Sequence, residues 1–179
     1  MGLEIERRFF VDGRNDKPWR SANSLAIFQC YLSGVTHSDG VIFWQGHSLT
    51  NEERVLENIT TWRIRLQDDV PYLAAKGVKI NATASEFEWE ISKELFDSLP
   101  LEGLPCITKT RHLWHGQDGL LWEVDEFENE LAGLIIAEVE LESESQQVVF
   151  PAWAGLELTN LRGWSNAALS RMVMDVKQP

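Results

Sequence analysis

The sequence is poor in cysteine and has no long apolar segment. Its two cysteines, Cys30 and Cys106, lack the CxxC spacing of a zinc site and are too few for a disulfide scaffold. Both are therefore predicted to be reduced thiols. No run of about 18 apolar residues occurs, and no charged leader precedes an apolar stretch. We expect a soluble, cytoplasmic protein with no membrane partner.

The sequence also lacks glycine-rich phosphate-binding motifs and an excess of basic residues. Neither GxxxxGK nor GxGxxG is present, which argues against the common nucleotide-binding folds. The 28 acidic residues outnumber the 16 basic ones and give a formal charge of −12. Nucleic-acid-binding proteins present a net basic face, so nucleic acid is not an expected partner. The length of 179 residues fits a single domain, 1–179.

What the sequence does contain is a series of segments in which charged and apolar residues alternate. A period of two predicts strands with one charged face. The first such segment carries Glu4, Glu6 and Arg8. Similar strand-like segments follow at 61–66, 72–77, 85–91, 109–111, 121–127 and 137–142.

Any one of these patterns is explained by a sheet with its polar face in water. Their repetition favours another arrangement, because the faces opposite the charges carry Trp and Phe. If the charged faces converge, they form a barrel with a polar lumen. Desolvated charges need partners, so this lumen suits a small polyanion held with hard metal ions. The predicted lining is Glu4, Glu6, Glu86, Glu88, Glu123, Asp125, Glu138 and Glu140, with Arg8, Arg63, Arg65, Lys76, Lys109 and Arg111.

Helices are predicted to be few and short. Ser92 is a candidate cap for a helix over 93–99, and Ser165 for a helix over 166–174. The segment 51–58 is a weaker helical candidate. The segment 24–32 is ambiguous between helix and strand.

Taken in order, these segments resemble the CYTH superfamily, the triphosphate tunnel metalloenzymes. The family's Glu-x-Glu-x-Lys signature stands here as Glu4-Ile5-Glu6-Arg7-Arg8. The resemblance covers nearly the whole chain and is strongest to the bacterial short inorganic-triphosphatase branch. It continues through 29–32, 63–65, 76–77, 86–88, 109–111, 122–127, 137–141 and 151–155.

The resemblance implies a mainly β (α+β) fold, an eight-stranded antiparallel tunnel barrel with a charged lumen and short surrounding helices. It also implies metal-dependent cleavage of a triphosphate, with Mg²⁺ or Mn²⁺ as cofactor. The implied metal ligands are Glu4, Glu6, Glu138 and Glu140, with Asp125 or Glu88 as a further ligand. The implied phosphate-binding residues are Arg8, Arg63, Arg65, Lys76, Lys109 and Arg111. The implied catalytic residues are Tyr31, Glu88 and Arg8.

Three departures from the family pattern bear on activity. Arg8 replaces the signature lysine, whose family partner corresponds to Tyr31; a guanidinium binds phosphate but keeps its proton at any useful pH. Ala84 stands where many relatives carry a further phosphate-binding arginine. The segment 37–58 is longer than the corresponding loop of the short bacterial forms, and its Trp44 is a candidate contact at the tunnel mouth.

We therefore expect hydrolysis of inorganic triphosphate to pyrophosphate and phosphate. One alternative is an enzyme acting on an organic triphosphate, like thiamine triphosphatase or class IV adenylate cyclase. Another is a module that binds polyphosphate or an organic phosphate with little turnover, which Arg8 and Ala84 favour. The sequence leaves open the physiological substrate, the preferred metal and the oligomeric state, a homodimer included.

Overall fold

Twelve β-strands and two α-helices occur in the computed structural model, which describes residues 2–177. The strands are β1 Gly2–Val11, β2 Asn23–Leu32, β3 Thr36–Ser38, β4 Val41–Trp44, β5 His47–Asn51, β6 Ile59–Gln67, β7 Val70–Gly77, β8 Thr83–Glu90, β9 Cys106–His115, β10 Leu121–Phe127, β11 Ile135–Glu140 and β12 Ala154–Glu157. The helices are α1 Lys93–Ser98 and α2 Asn166–Lys177. Neither helix, nor any 3-10 turn in this part of the chain, combines the length and hydropathy needed to cross a bilayer.

Eight of these strands close into an antiparallel barrel. Their order is β11–β10–β9–β2–β6–β7–β8–β1, and β1 pairs back to β11. The short strand β12 pairs with the end of β1 outside this ring. The expected eight-stranded barrel is confirmed, and the ambiguous segment 24–32 is a strand.

Apolar side chains on the outer face of the barrel are covered by loops and by α1. Successive residues of a strand point to opposite faces, so lumen-facing Glu123 and Asp125 alternate with outward-facing Trp122 and Val124. Trp122 is fully buried, with its ring 5.4 Å from that of Trp153 in an edge-to-face arrangement. Burial of a large apolar side chain contributes about 1.5–3 kcal/mol. The apolar exterior that the sequence predicts is therefore the main hydrophobic core.

The long segment 37–58 contributes most of a separate three-stranded sheet, β3–β5, that packs on this exterior. Trp44 is buried there and its Nε1 donates to the carbonyl of Ser33 at 2.9 Å. The expectation that Trp44 lies at the tunnel mouth is wrong. The predicted helix over 51–58 is also wrong, because Asn51 ends β5 and the backbone N–H of Glu52 pairs across the hairpin with Gly40 at 2.8 Å.

Both serine-capped helices are present. Ser92 Oγ accepts from the backbone N–H of Leu95 at 3.1 Å, and Ser165 Oγ accepts from that of Ala168 at 3.1 Å. Leu169 and Val173 of α2 pack against residues on the inner face of the barrel, Ile107, Phe127 and Ile136, and against Leu158. The helix therefore closes one end of the barrel and points its N-terminus toward the lumen.

Cys30 and Cys106 form a disulfide, so the prediction of two reduced thiols is wrong. The two residues are 76 positions apart in sequence but lie directly opposite each other on β2 and β9. Residues in such opposed positions have Cα atoms roughly 4.5–5.5 Å apart, which brings their thiols within bonding reach. Sequence spacing carries no information on this contact, because it depends on which strands become neighbours.

Candidate active site in the barrel lumen

The fourteen charged side chains predicted to converge do converge. Twelve of them line a cavity of about 240 Å³ inside the barrel. The other two, Lys109 and Asp125, are each about 1% exposed and lie beside Arg111, which lines the cavity. The lumen therefore holds opposite charges at close range, and most of them are shielded from bulk water, whereas Glu88 and Glu140 are exposed.

Carboxylates gather where β1 pairs with β11, because the register puts Glu6 opposite Glu140 and Arg8 opposite Glu138. Arg8 donates from Nε to Glu138 at 3.1 Å and from Nη2 to Glu6 at 3.2 Å. Burial raises the pKa of Glu6 to about 8, and the nearby charge of Glu138 adds to the effect. Burial also disfavours the charged form of Glu138, but the charge of Arg8, the hydrogen bond with Glu6 and the charges of Arg111 and Lys109 together hold that pKa well below its usual range. Glu6 in its protonated form can thus hydrogen-bond the ionised carboxylate of Glu138.

Arg63 and Arg65 of β6 project into the lumen from the other side. Their Nη2 atoms donate to Glu86 at 3.0 Å and to Glu88 at 2.7 Å. Among residues 2–177, the Nε atoms of both arginines are buried and have no hydrogen-bond partner. A buried donor without a partner costs about 1–3 kcal/mol, more when it is charged. These two N–H groups are therefore available to donate to an anion in the lumen.

A second basic group lies where β9 pairs with β10. Asp125 accepts from Arg111 Nε at 2.7 Å, from Arg111 Nη2 at 2.9 Å and from Lys109 Nζ at 2.5 Å. Both oxygens of this carboxylate are thus engaged by cations, and Asp125 lies with them rather than in the Glu6–Glu138 cluster. Burial lowers the pKa of Lys109 to about 8, and the charge of Asp125 only partly offsets it.

The remaining predicted residues lie around these groups. Lys76 Nζ donates to Glu4 at 2.6 Å. Tyr31 accepts from the amide of Gln29 at 2.8 Å, and burial raises the pKa of its phenol despite the charge of Arg63. Tyr31 is therefore a neutral hydrogen-bonding group at ordinary pH.

Sequence reasoning missed two polar residues at this site. Lys79 lies in the loop between β7 and β8, where strand alternation gives no direction for a side chain. Its Nζ is 3.3 Å from Glu6 Oε1. Asn166, the first residue of α2, lines the cavity, and its Oδ1 lies 3.4 Å from Lys109 Nζ. Its position at the start of a capped helix was visible in the sequence, but the direction of that helix was not.

A polar lumen of this kind, enclosed by an eight-stranded barrel, defines a recognisable class of proteins. Residues 2–166 match the family model of the CYTH domain, and the chain belongs to that family. It is 32% identical over 173 residues to the inorganic triphosphatase of Acetivibrio thermocellus, with 94% of both chains covered. The inorganic triphosphatase of Nitrosomonas europaea is 32% identical over 111 residues, which cover 60% of this chain and 73% of that protein. A crystal structure of an inorganic triphosphatase matches with a TM-score of 0.59 at 28% identity and covers 95% of both chains.

Proposed function

We propose that this chain hydrolyses inorganic triphosphate to pyrophosphate and phosphate inside the barrel. The observation that carries the proposal is the pair of buried, unpartnered Nε–H groups of Arg63 and Arg65. Within residues 2–177, the cavity of about 240 Å³ in the lumen is lined by charged side chains and Asn166, without an apolar or aromatic residue on which a nucleoside or thiamine ring could pack. This lining favours inorganic triphosphate over nucleoside or thiamine triphosphate. Relatives named inorganic triphosphatases, 32% identical to this chain, support the same substrate.

We propose Mg²⁺ or Mn²⁺ as the cofactor, held by Glu4, Glu6, Glu138 and Glu140. These residues offer carboxylate oxygens, the ligands that hard divalent cations prefer. Glu6 and Glu138 are close enough for one carboxyl to hydrogen-bond the other, so once Glu6 has lost its proton the two carboxylates would offer neighbouring oxygens to a divalent cation. Among residues 2–177, no three acidic, His or Cys side chains are grouped tightly enough to hold a metal as they stand. The carboxylates must therefore give up cationic partners such as Arg8.

The basic residues bind and orient the substrate. A bound divalent cation supplies neutralisation of charge on the phosphate oxygens. Arg63, Arg65 and Arg111 provide planar N–H pairs that match phosphate oxygens. Lys76 and Lys109 add point charges, and Asp125 orients Lys109 and Arg111 through the hydrogen bonds described above. Positioning and charge neutralisation supply most of the catalysis of phosphoryl transfer.

In the reaction, a water oxygen bonds to a terminal phosphorus while the anhydride P–O bond to the other two phosphates breaks. We assign Glu88, which lines the cavity and is partly exposed to solvent, as acceptor of the proton that the water loses. Tyr31 is neutral and donates its hydroxyl hydrogen to a phosphate oxygen. Arg8 keeps its proton, so its role is to bind phosphate and not to act as a base.

The test is a phosphate-release panel with tripolyphosphate, ATP and thiamine triphosphate, each with Mg²⁺ and with Mn²⁺. We expect the highest kcat/KM for tripolyphosphate, and we expect no phosphate release without a divalent cation. Replacing Arg63 and Arg65 together by Gln should abolish activity. The matched control is Arg7→Gln, because Arg7 lies outside the lumen and pairs with Glu157 at 2.8 Å. Preference for an organic triphosphate contradicts the proposal, and tight binding without phosphate release favours the binding module.

A further inference from the structure

A second cavity, of about 180 Å³, opens off the lumen beside the loop between β7 and β8. Glu4, Glu6, Arg8, Arg63 and Lys76 line both spaces, so the two cavities adjoin along these side chains. A linear triphosphate bound in the lumen can reach this side cavity where these flexible side chains move aside.

Lys79 lies on the loop 78–82 that borders the side cavity, and this loop is firmly held. The backbone N–H and C=O groups of Ile80 pair with those of Thr83 at 2.9 and 3.0 Å. The carbonyl of Ala82 accepts from the backbone N–H of Glu6 at 3.0 Å, which fastens the turn to β1. Lys79 is thus presented to the cavity from a fixed position.

The Lys79 ammonium shares its acceptor with another cation. Its Nζ is 3.3 Å from Glu6 Oε1, the same oxygen that accepts from Arg8 Nη2 at 3.2 Å. Glu6 is one of the proposed metal ligands. When a divalent cation takes this carboxylate, it competes with Lys79 and leaves the ammonium free for another anion.

Ala84 leaves room for this lysine. It lies opposite Glu4 in the β1–β8 register and lines the same cavity as Lys79. Its methyl group brings no charge to this wall. Lys79 can supply a positive charge there, since its ammonium is a compact donor on a flexible four-carbon stem.

We propose that Lys79 is a substrate-binding residue, whose ammonium binds the end phosphate of the triphosphate that extends into the side cavity. The inference rests on the proposed function, because it takes tripolyphosphate as the ligand. Ala84 of β8 brings no positive charge to the side cavity, and we assign that charge to Lys79, which precedes β8 in the chain.

The test compares Lys79→Gln with the wild type by calorimetric titration with tripolyphosphate in Ca²⁺ and by steady-state phosphate release in Mg²⁺. Loss of one charged hydrogen bond should weaken Kd about tenfold or more and raise KM similarly. Lys93→Gln is the matched control, because Lys93 pairs with Asp97 on α1, outside the barrel. Adding Ala84→Arg to Lys79→Gln should restore most of the affinity, since it returns a cation to the same wall.

The Lys79→Arg variant distinguishes affinity lost with the positive charge from affinity lost because the fold is disturbed. If Lys79→Gln lowers Tm, the arginine variant should still bind within about threefold of the wild type, because the charge is kept. Equal loss in both variants overturns the inference. So does unchanged affinity of Lys79→Gln in a protein that hydrolyses tripolyphosphate, and this result leaves the proposed function intact. Failure of the wild type to bind or cleave tripolyphosphate overturns the proposed function itself.

Discussion

Arg63→Lys tests whether the Nε–H group of Arg63 binds a phosphate oxygen of the substrate. The arginine side chain is 11% exposed and has two kinds of N–H group in the lumen. Its Nη2 donates to Glu86 at 3.0 Å, whereas its buried Nε has no hydrogen-bond partner among residues 2–177. Lysine keeps the positive charge and can still pair with Glu86, but it removes the Nε–H donor. The substitution therefore isolates the group that we assign to phosphate.

The size of the effect follows from that one donor. A hydrogen bond to a charged group contributes about 1.5–3 kcal/mol, and because the charge is kept we expect the lower end. That corresponds to roughly a tenfold rise in the Kd for tripolyphosphate and in KM. Without a bound anion, the buried Nε–H group of Arg63 lacks a partner within residues 2–177 and lowers the free energy of unfolding. The Arg63→Lys variant should therefore be no less stable than the wild type. Each kcal/mol gained raises Tm by roughly 2–4 °C in a chain of this size.

Three measurements are needed. Calorimetric titration with tripolyphosphate in Ca²⁺ gives Kd, phosphate release in Mg²⁺ gives KM, and thermal unfolding without ligand gives Tm. Arg7→Lys is the control, because Arg7 forms a two-bond pair with Glu157 on the outer surface and should leave Kd unchanged. Unaltered Kd and KM together with a lower Tm in Arg63→Lys would refute the reasoning. That outcome would mean that the Nε–H group has a structural role and does not await a substrate.

Three further predictions follow from the same geometry. Arg8→Lys should raise KM for tripolyphosphate modestly and Arg8→Ala more, because Arg8 is a phosphate-binding group; a rise in kcat for Arg8→Lys would contradict this assignment. Glu138→Gln should weaken the Mg²⁺ dependence of phosphate release by at least about tenfold, since a hard cation loses an anionic oxygen; an unchanged Mg²⁺ titration curve would remove Glu138 from the ligands. Activity should peak near pH 8. Below this pH Glu6, whose pKa is raised to about 8, is protonated, and its proton competes with the metal. Above this pH Lys109, whose pKa is lowered to about 8, loses its charge. A rate that keeps rising to pH 10 would contradict the role of Lys109.

The barrel strands were predictable because their signal is local. Charged and apolar residues alternate along 121–127, and the structure has a strand over Leu121–Phe127. The helix caps Ser92 and Ser165 were equally visible, since a cap acts within a few residues. The segment 51–58 was not, because its backbone pairs with Gly40 across a hairpin rather than with itself.

Features that depend on which strands become neighbours could not be predicted from local pattern. The Cys30–Cys106 disulfide exists because β2 lies beside β9, which no spacing rule reveals. Lys79 reaches Glu6 from the loop between β7 and β8, and loops carry no alternation that assigns a face. The lumen-facing residues were found from alternation, yet the partition of Asp125 away from the Glu6–Glu138 cluster required the strand register.

The ion pairs between lumen-facing side chains explain how the charged residues of the lumen can be buried in a stable fold. An ion taken from water costs several kcal/mol unless a partner compensates it. Here carboxylates proposed to bind metal accept from cations proposed to bind phosphate, as in the pairs Arg8–Glu138 and Lys76–Glu4. On the proposed assignment, a divalent cation bound by the carboxylates would free the basic groups, and a triphosphate bound by the basic groups would free the carboxylates. We therefore expect binding of the metal and binding of the substrate to be coupled, each raising the affinity for the other by the same factor.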